Sequence, residues 1–218
     1  MTFLDTCSFC LTAAWAYVHE QHLHLFNTTT GTDASETHAL PIVNDNSAVD
    51  VPFLVSRSGE FVATMHGTTL TEENLASGES NVLTEAIDGQ RRSGYGWSPT
   101  GVLAYAEVDS NRSPVLHLFD PKTGANRVLL QGQDRGVFSG VSWSTSDWLI
   151  FVFWPSGTEG EELAEYRAIN VITGANELLV MNGSSFNLSA SGRKLTIARS
   201  PTASAPFSIW VATLVVQQ

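Results

Sequence analysis

Gly96-Trp97-Ser98-Pro99-Thr100-Gly101-Val102-Leu103-Ala104-Tyr105 is the stretch that decides the fold of this chain. It predicts a strand, a tight turn and a second strand, because Ser-x-x-Gly leaves the glycine free to take a positive φ. Two more strand-like segments follow, Val115–Asp120 and Arg127–Leu130, with a Thr123-Gly124 turn between them. Four short strands within about 45 residues make one antiparallel unit.

The unit recurs along the chain at a nearly constant spacing. The residues equivalent to Ser98 are Cys10, Ser56, Ser144 and Ser189. Successive anchors are 46, 42, 46 and 45 residues apart. A glycine of the later turn recurs at Gly31, Gly78, Gly124 and Gly174. The string Thr-Gly-Ala-Asn also occurs twice, at 123–126 and 173–176. Two independent anchors with one period indicate a repeat architecture.

The third unit resembles the TolB-type (WD-like) β-propeller repeat. The resemblance is carried by Trp97-Ser98-Pro99-Thr100-Gly101, by the strand that ends at Tyr105, and by Leu118-Phe119-Asp120 before the Thr-Gly turn. Thr100 stands where that family has an aspartate. The resemblance covers nearly the whole chain and implies a fold more than an activity. It implies an all-β fold, a β-propeller of five four-stranded blade repeats whose sheets stack to bury their faces.

A single propeller domain is predicted over 1–218, with repeats at about 2–41, 46–86, 89–131, 135–181 and 185–218. The apolar residue before each turn, Trp97 and Trp143 among them, is expected to fill the seam between sheets. The inner strand of the fourth repeat is predicted at Gly140–Ser144. The fifth repeat runs through a strand at Phe207–Thr213 without a clear outer strand after it.

That incomplete repeat leaves three arrangements open. In the first, which the starting Met and the repeat count favour, five blades close into a ring and the N-terminal segment completes the last blade. In the second, an open ring is sealed by strands that a partner donates, at the first and fifth repeats, or by oligomerisation. In the third, the chain is part of a propeller with more blades.

The composition restricts the partners. The chain is 43% apolar and 10% aromatic, enough for a core. Its net charge of −11 disfavours nucleic acid and anionic membranes, since phosphate binding needs clustered lysine and arginine. No apolar run reaches the length of about 18 residues that a membrane span needs. The segment Cys7–Val18 lacks a basic start, so no signal peptide is expected. We predict a cytoplasmic protein, or a periplasmic one if a leader was removed.

Metal binding is not expected from the cysteines and histidines. Cys7 and Cys10 form a C-x-x-C, but the repeat places them on a strand, with their side chains on opposite faces. His19, His22 and His24 follow closely. The gap is too short for a zinc finger, and no second cysteine pair exists. His24 also aligns with His117 of the third repeat, which indicates an architectural role.

No complete catalytic set is present either. The stretch Gly140-Val141-Ser142-Trp143-Ser144 approaches the nucleophile-elbow pattern but lacks its second glycine. Four glutamates cluster in and after a loop of the fourth repeat, at Glu159, Glu161, Glu162 and Glu165. They lack the EF-hand pattern, so a solvated loop is expected. No catalytic residue, metal or cofactor is predicted.

The favoured function is therefore a non-catalytic interaction module or scaffold that binds a protein partner on the loop-rich face or in the central channel. Its predicted partner contacts are aromatics near loops at one end of the ring: Tyr95, Phe138, Trp154 and Phe186. One alternative is a carbohydrate-binding propeller with a site in each inter-blade cleft. Another is a hydrolase or lyase that uses channel carboxylates such as Asp5 and Asp50.

Overall fold

The structure is a computed structural model in which the chain folds as β-strands. It describes residues 14–19, 22–27, 32–39, 53–85, 94–132, 136–155, 164–181, 183–189, 192–199 and 208–213. Within these ranges, eighteen strands form five antiparallel sheets. The same ranges contain no helix of the length and hydropathy that a bilayer crossing requires.

The strands of each sheet follow one another in sequence, so every sheet is a simple meander. The first sheet contains β1 Ala14–His19, β2 His22–Asn27 and β3 Thr32–Ala39. The second contains β4 Phe53–Val55, β5 Phe61–His66, β6 Thr69–Asn74 and β7 Ser80–Thr84. The third contains β8 Tyr95–Trp97, β9 Leu103–Val108, β10 Pro114–Asp120 and β11 Ala125–Gln131. The fourth contains β12 Gly136–Trp143, β13 Trp148–Pro155, β14 Glu165–Asn170 and β15 Asn176–Met181. The fifth contains β16 Gly183–Leu188, β17 Lys194–Arg199 and β18 Ser208–Thr213.

The chain divides into two compact units, residues 1–83 and 84–218. The first unit carries the first two sheets, and the second unit carries the third, fourth and fifth. The prediction of one propeller domain over the whole chain stays a prediction. Within the described residues, three sheets have four strands, and the first and fifth have three. The start of the first repeat and the end of the fifth lie outside those residues, so four strands in these two blades stay a prediction.

The predicted Ser-x-x-Gly turn is confirmed in the second, third and fifth sheets. In the turns 56–59, 98–101 and 189–192, the glycine N–H donates to the serine carbonyl at 2.7–3.1 Å. The serine Oγ accepts a backbone N–H at the start of the next strand, at 2.9–3.1 Å. The three glycines have φ between 67° and 90°, which other residues adopt only with strain. A local hydrogen-bond pattern therefore sets where each second strand begins.

The seam between the third and fourth sheets is a continuous apolar core. Leu116 and Leu118 of the third sheet pack there against Leu149 and Phe151 of the fourth. Trp143 borders this cluster, and its indole N–H donates to the carbonyl oxygen of Gly96 in the neighbouring sheet at 2.9 Å. The expectation that Trp143 fills a seam is confirmed.

The inner strand of the fourth sheet begins earlier than the repeat predicted. It starts at Gly136 instead of Gly140, and its pairing with β13 shifts between Ser139 and Ser142. Gly140 lies in that irregularity with a φ of 58°. A β-bulge bends a strand without ending it, so the glycine that marked a strand start in the sequence is an interior position.

One buried carboxyl group in the first unit yields a pH-dependent prediction. Glu72 of β6 is buried, and burial raises the pKa of its carboxyl above the ordinary 4.5. A hydrogen bond from Asn81 Nδ2 at 3.0 Å opposes this shift. A group that holds its proton more tightly when folded lowers stability as the pH rises above its unfolded pKa. Ionisation of Glu72 therefore destabilises the fold towards neutral pH.

We expect Glu72→Gln to be more stable than the wild type at about pH 7 and to lose that advantage as the pH falls to about 4.5. Glutamine keeps an acceptor for Asn81 and cannot ionise. Thermal melts at the two pH values measure the difference, with Glu79→Gln, an exposed position, as the control. A variant that is less stable at neutral pH, or a gain that is the same at both pH values, would contradict the prediction.

Candidate functional site

The four aromatics predicted to contact a partner are not on one exposed surface. Tyr95 and Phe138 are buried, with 4% and 6% of their surfaces exposed. Burial raises the pKa of the Tyr95 hydroxyl above its usual range. Trp154 and Phe186 are half-buried. Contact with a partner through these residues stays a prediction, but two of them offer it little surface.

Three of them, Phe138, Trp154 and Phe186, also separate onto the two sides of the fourth sheet. Phe138 packs on the side of the third sheet, edge-on to Phe151 with ring centroids 5.0 Å apart. Trp154 and Phe186 border a second cluster around Tyr166. The Phe186 ring lies edge-on to Tyr166 at 5.6 Å. The structure therefore brings Trp154 and Phe186 to one cluster and places Phe138 in another.

The histidine assigned an architectural role has well-defined neighbours. The His117 ring stacks on Tyr105 at 4.8 Å with an interplanar angle of 7°. Its Nε2 lies 3.0 Å from Glu107 Oε1. The backbones of His19 and His22 pair across β1 and β2. Cys7, Cys10, Asp5, Asp50 and the loop glutamates 159, 161 and 162 lie outside the described residues. Among the described residues, no group of three or more His, Cys, Asp or Glu is placed to hold a metal ion.

The most exposed apolar surface that the structure describes is the last strand of the fifth sheet. All six residues of β18 are exposed, and Ile209, Trp210 and Val211 have 74%, 60% and 68% of their surfaces in contact with solvent. Neighbouring residues of a strand point to opposite faces. β18 is therefore uncovered on both faces at once. We call this strand and its outer side the β18 edge.

The β18 edge has the chemistry of a strand that accepts another strand. β18 pairs with β17 and occupies the end of the sheet order, so its outer row of N–H and C=O groups faces away from β17. Its sequence, Ser-Ile-Trp-Val-Ala-Thr, has no charge, no proline and no glycine. Proteins usually protect exposed edges with charges, prolines or bulges. None of these protections is present within β18.

A cleft between the third and fourth sheets is the second candidate site. Its volume is about 280 Å³, and Val102, Leu118 and Val171 are among the apolar residues that line it. Asp120 and Arg127 are the charged residues that line it. The Arg127 Nη2 crosses to the other sheet and donates to the carbonyl oxygen of Val171 at 2.8 Å. We call this the 3/4 cleft.

The sequence left strand donation at the fifth repeat open, but it did not single out Ile209, Trp210 and Val211, whose exposure depends on what lies beside the sheet. The 3/4 cleft was not identified from the sequence. One difference between the repeats does mark the 3/4 cleft in the sequence. The two identical Thr-Gly-Ala-Asn turns are followed by Arg127 in one repeat and by Glu177 in the other. Arg127 pairs with Leu118 as Glu177 pairs with Ala168, so these positions are equivalent and opposite in charge.

No protein-family model matches the sequence, and no curated protein matches it. Solved structures do match the fold. The putative TolB from Agrobacterium tumefaciens has a TM-score of 0.59 at 15% identity, over 93% of this chain and 73% of that one. TolB from Acinetobacter baumannii has a TM-score of 0.55 at 15% identity, over 92% of this chain. The match covers 49% of that TolB, so the chain spans about half its length.

A third similar structure is the β-propeller domain of the trilobed protease from Pyrococcus furiosus, which is described as having an open velcro topology. Its TM-score is 0.57 at 12% identity, over 92% of this chain and 64% of that one. At such identities the likeness concerns the fold alone. The antiparallel meander sheets, the recurring Ser-x-x-Gly turns and these three structures lead to one conclusion: the chain has the TolB-type β-propeller fold.

Proposed function

We propose that this chain is a non-catalytic protein-interaction module that binds an extended, uncharged segment of a partner protein along the β18 edge. The observation that carries the proposal is the exposure of Ile209, Trp210 and Val211 on the two faces of one edge strand. Strand addition to an open edge supplies main-chain hydrogen bonds for affinity and side-chain pairs for specificity. The other proposed features, a closed five-bladed ring, binding on the loop-rich face or in a central channel, and a cytoplasmic location, stay predictions.

The chemistry of the partner follows from the strand. β18 carries no charge although the chain has a net charge of −11. An uncharged apolar segment would lose little solvation on pairing there, whereas a charged one would have to be desolvated without a counter-charge. Trp210 lies opposite Ile197, on the face of the fifth sheet that packs towards the fourth. Tryptophan is the side chain most often found at the energetic centre of an interface.

An uncovered edge is compatible with this fold. The trilobed protease propeller is described as having an open velcro topology. In the second, third and fourth sheets, a fourth strand pairs with the third. In the fifth sheet, β18 is the third strand and the last one that the structure describes. A donated segment would occupy the place of the fourth strand and give the fifth sheet the same number of strands as its neighbours.

The proposal is tested with a displayed library of peptides about eight residues long. Wild type, Trp210→Lys and Val128→Lys are compared. Val128 is a matched control, because it is an exposed apolar residue of the outer strand β11. We expect selected peptides to be uncharged and alternately apolar, and to bind Trp210→Lys at least about tenfold more weakly. Binding to Val128→Lys should be unchanged.

Hydrogen exchange provides the second measurement. A saturating peptide should slow exchange of the backbone amides of 208–213 and leave those of β11 unaffected. Because both substituted positions are exposed, each variant should keep its unfolding free energy within about 0.5 kcal/mol of the wild type. A library that yields no binder, or binders that are weakened equally by both substitutions, would overturn the proposal. In the isolated chain, slow exchange of the β18 amides that do not bond to β17 would do so as well, because the outer side of the strand would already be occupied.

A further inference from the structure

We propose that the 3/4 cleft binds a small zwitterion with an apolar side chain, the class of the apolar α-amino acids. This site is separate from the β18 edge and does not depend on the function proposed for it. The inference rests on two opposite charges that flank one small apolar cleft without pairing with each other.

The strand register separates the two charges. Leu118 pairs with Arg127, and Asp120 pairs with Ala125. Asp120 and Arg127 therefore lie on one face of the sheet as diagonal neighbours, with a backbone separation of roughly 7–8 Å. Within the described residues no ion pair joins them. Arg127 reaches instead across the cleft to Val171 O, and this bond uses one of its five N–H donors.

The Asp120 carboxylate is held in place by its own turn. Its Oδ1 accepts the backbone N–H of Lys122 at 3.0 Å, and its Oδ2 accepts the hydroxyl of Thr123 at 3.0 Å. Each carboxylate oxygen has a second lone pair, so the group can still accept from a ligand. A fixed anion and an anchored cation thus face one cleft. Preorganised partners of this kind lower the entropic cost of binding.

Both the size and the polarity of the cleft select the ligand. A volume of about 280 Å³ lies just below the roughly 300–1,000 Å³ of ordinary small-molecule pockets, so the cleft suits a ligand of one side chain and a polar head. An anionic ligand would be repelled by Asp120, and a cationic one by Arg127. A purely apolar ligand would cover both charges without pairing them, which is costly.

A zwitterion satisfies every group at once. Its carboxylate receives two parallel N–H bonds from the Arg127 guanidinium, the strongest geometry for this pair. Its ammonium donates to Asp120, and its apolar side chain rests on Val102, Leu118 and Val171. The counterpart of Arg127 in the fourth sheet is Glu177, so an equivalent cation is absent there. The proposal therefore assigns one such site to the third and fourth sheets.

The test uses three ligands that differ by one charge: L-leucine, N-acetyl-L-leucine and L-leucinamide. Binding is measured by calorimetry and by the shift of the Trp143 indole N–H resonance, since Trp143 lines the cleft. We expect wild type to bind leucine at least about fivefold more tightly than either analogue. Three equal affinities, or no binding of leucine, would overturn the proposal.

Two variants then show which charge of the protein binds which charge of the ligand. Arg127→Gln should lose the preference for leucine over leucinamide and keep the preference over N-acetyl-leucine. Asp120→Asn should lose the preference for leucine over N-acetyl-leucine and keep the preference over leucinamide. Asn170 forms the same turn in the fourth sheet through its Oδ1, so asparagine at 120 is compatible with the fold. Arg112→Gln, in the β9–β10 turn, removes an equal charge and should change nothing. A loss of binding in the Arg112 variant equal to that in the Arg127 variant would overturn the assignment.

Discussion

Replacing Gly192 by alanine is expected to destabilise the protein by about 3 kcal/mol or more. Gly192 closes the β16–β17 turn with a φ of 67°. A Cβ added there would lie 1.5 Å from the backbone oxygen of Ser144, in the corresponding turn of the fourth sheet. A backbone atom cannot rotate away as a side chain can, so the two turns would have to separate. Separation would also break the bond from the Ser144 hydroxyl to the Gly192 carbonyl oxygen.

Gly101→Ala is the matched control for this effect. Gly101 ends the equivalent turn of the third sheet with a φ of 90°, and an added Cβ would have no neighbour within 4 Å. Its cost is conformational only, about 1–2 kcal/mol. Denaturant titration of both variants should therefore show a clear difference between them. Equal losses would mean that the turns of the fourth and fifth sheets do not approach as closely as the structure shows.

Phe151→Ala is expected to cost about 3–5 kcal/mol. Phe151 is fully buried in the seam between the third and fourth sheets, edge-on to Phe138. Truncation removes one ring from the core that the two sheets share. It leaves a cavity that the hydrogen-bonded strands cannot easily move to fill. The cost therefore combines lost burial with lost packing. Equilibrium unfolding in denaturant measures it, provided that the slope with denaturant is unchanged from the wild type.

Phe153→Ala provides the comparison on the same strand and the same face. Phe153 also lies edge-on to Phe138, with ring centroids 5.5 Å apart, but it is half-buried. Part of its surface is already in water, so its loss should cost less, about 1–2 kcal/mol. If Phe153→Ala were as damaging as Phe151→Ala, the seam would not be centred where the structure places it.

The repeat could be predicted from the sequence because its signals are local. A serine, a glycine three residues later and an apolar strand specify their turn through bonds that span at most five residues. Strand ends were harder to predict, because the bulge around Gly140 is recognisable only once β12 has paired with β13. Local turn chemistry does not report on such long-range pairing.

The candidate sites could not be predicted because the burial of their residues depends on contacts between sheets. Tyr95 and Phe138 are next to loops in the sequence, yet packing between sheets buries both. Trp210 is the opposite case, since an apolar residue between two others on a strand indicates burial and the structure exposes it. The Arg127 charge could have been found by comparing the two identical turns. Its role depends on the distance to Val171, 44 positions away in the chain.

The contacts across the seams have a consequence for the order of the repeats. The second, third and fifth repeats close their Ser-x-x-Gly turns with the same local bonds, so these turns do not distinguish one repeat from another. The contact at Gly96, which accepts the Trp143 indole N–H, does distinguish them, because Leu54, Ser142 and Asn187 stand at the equivalent positions of the second, fourth and fifth sheets. A Cβ at Gly96 would lie 2.9 Å from the Val141 carbonyl oxygen, so a glycine is needed where β8 meets β12. Transplanting the fourth repeat into the place of the third would put Ser142 there and force the two sheets apart.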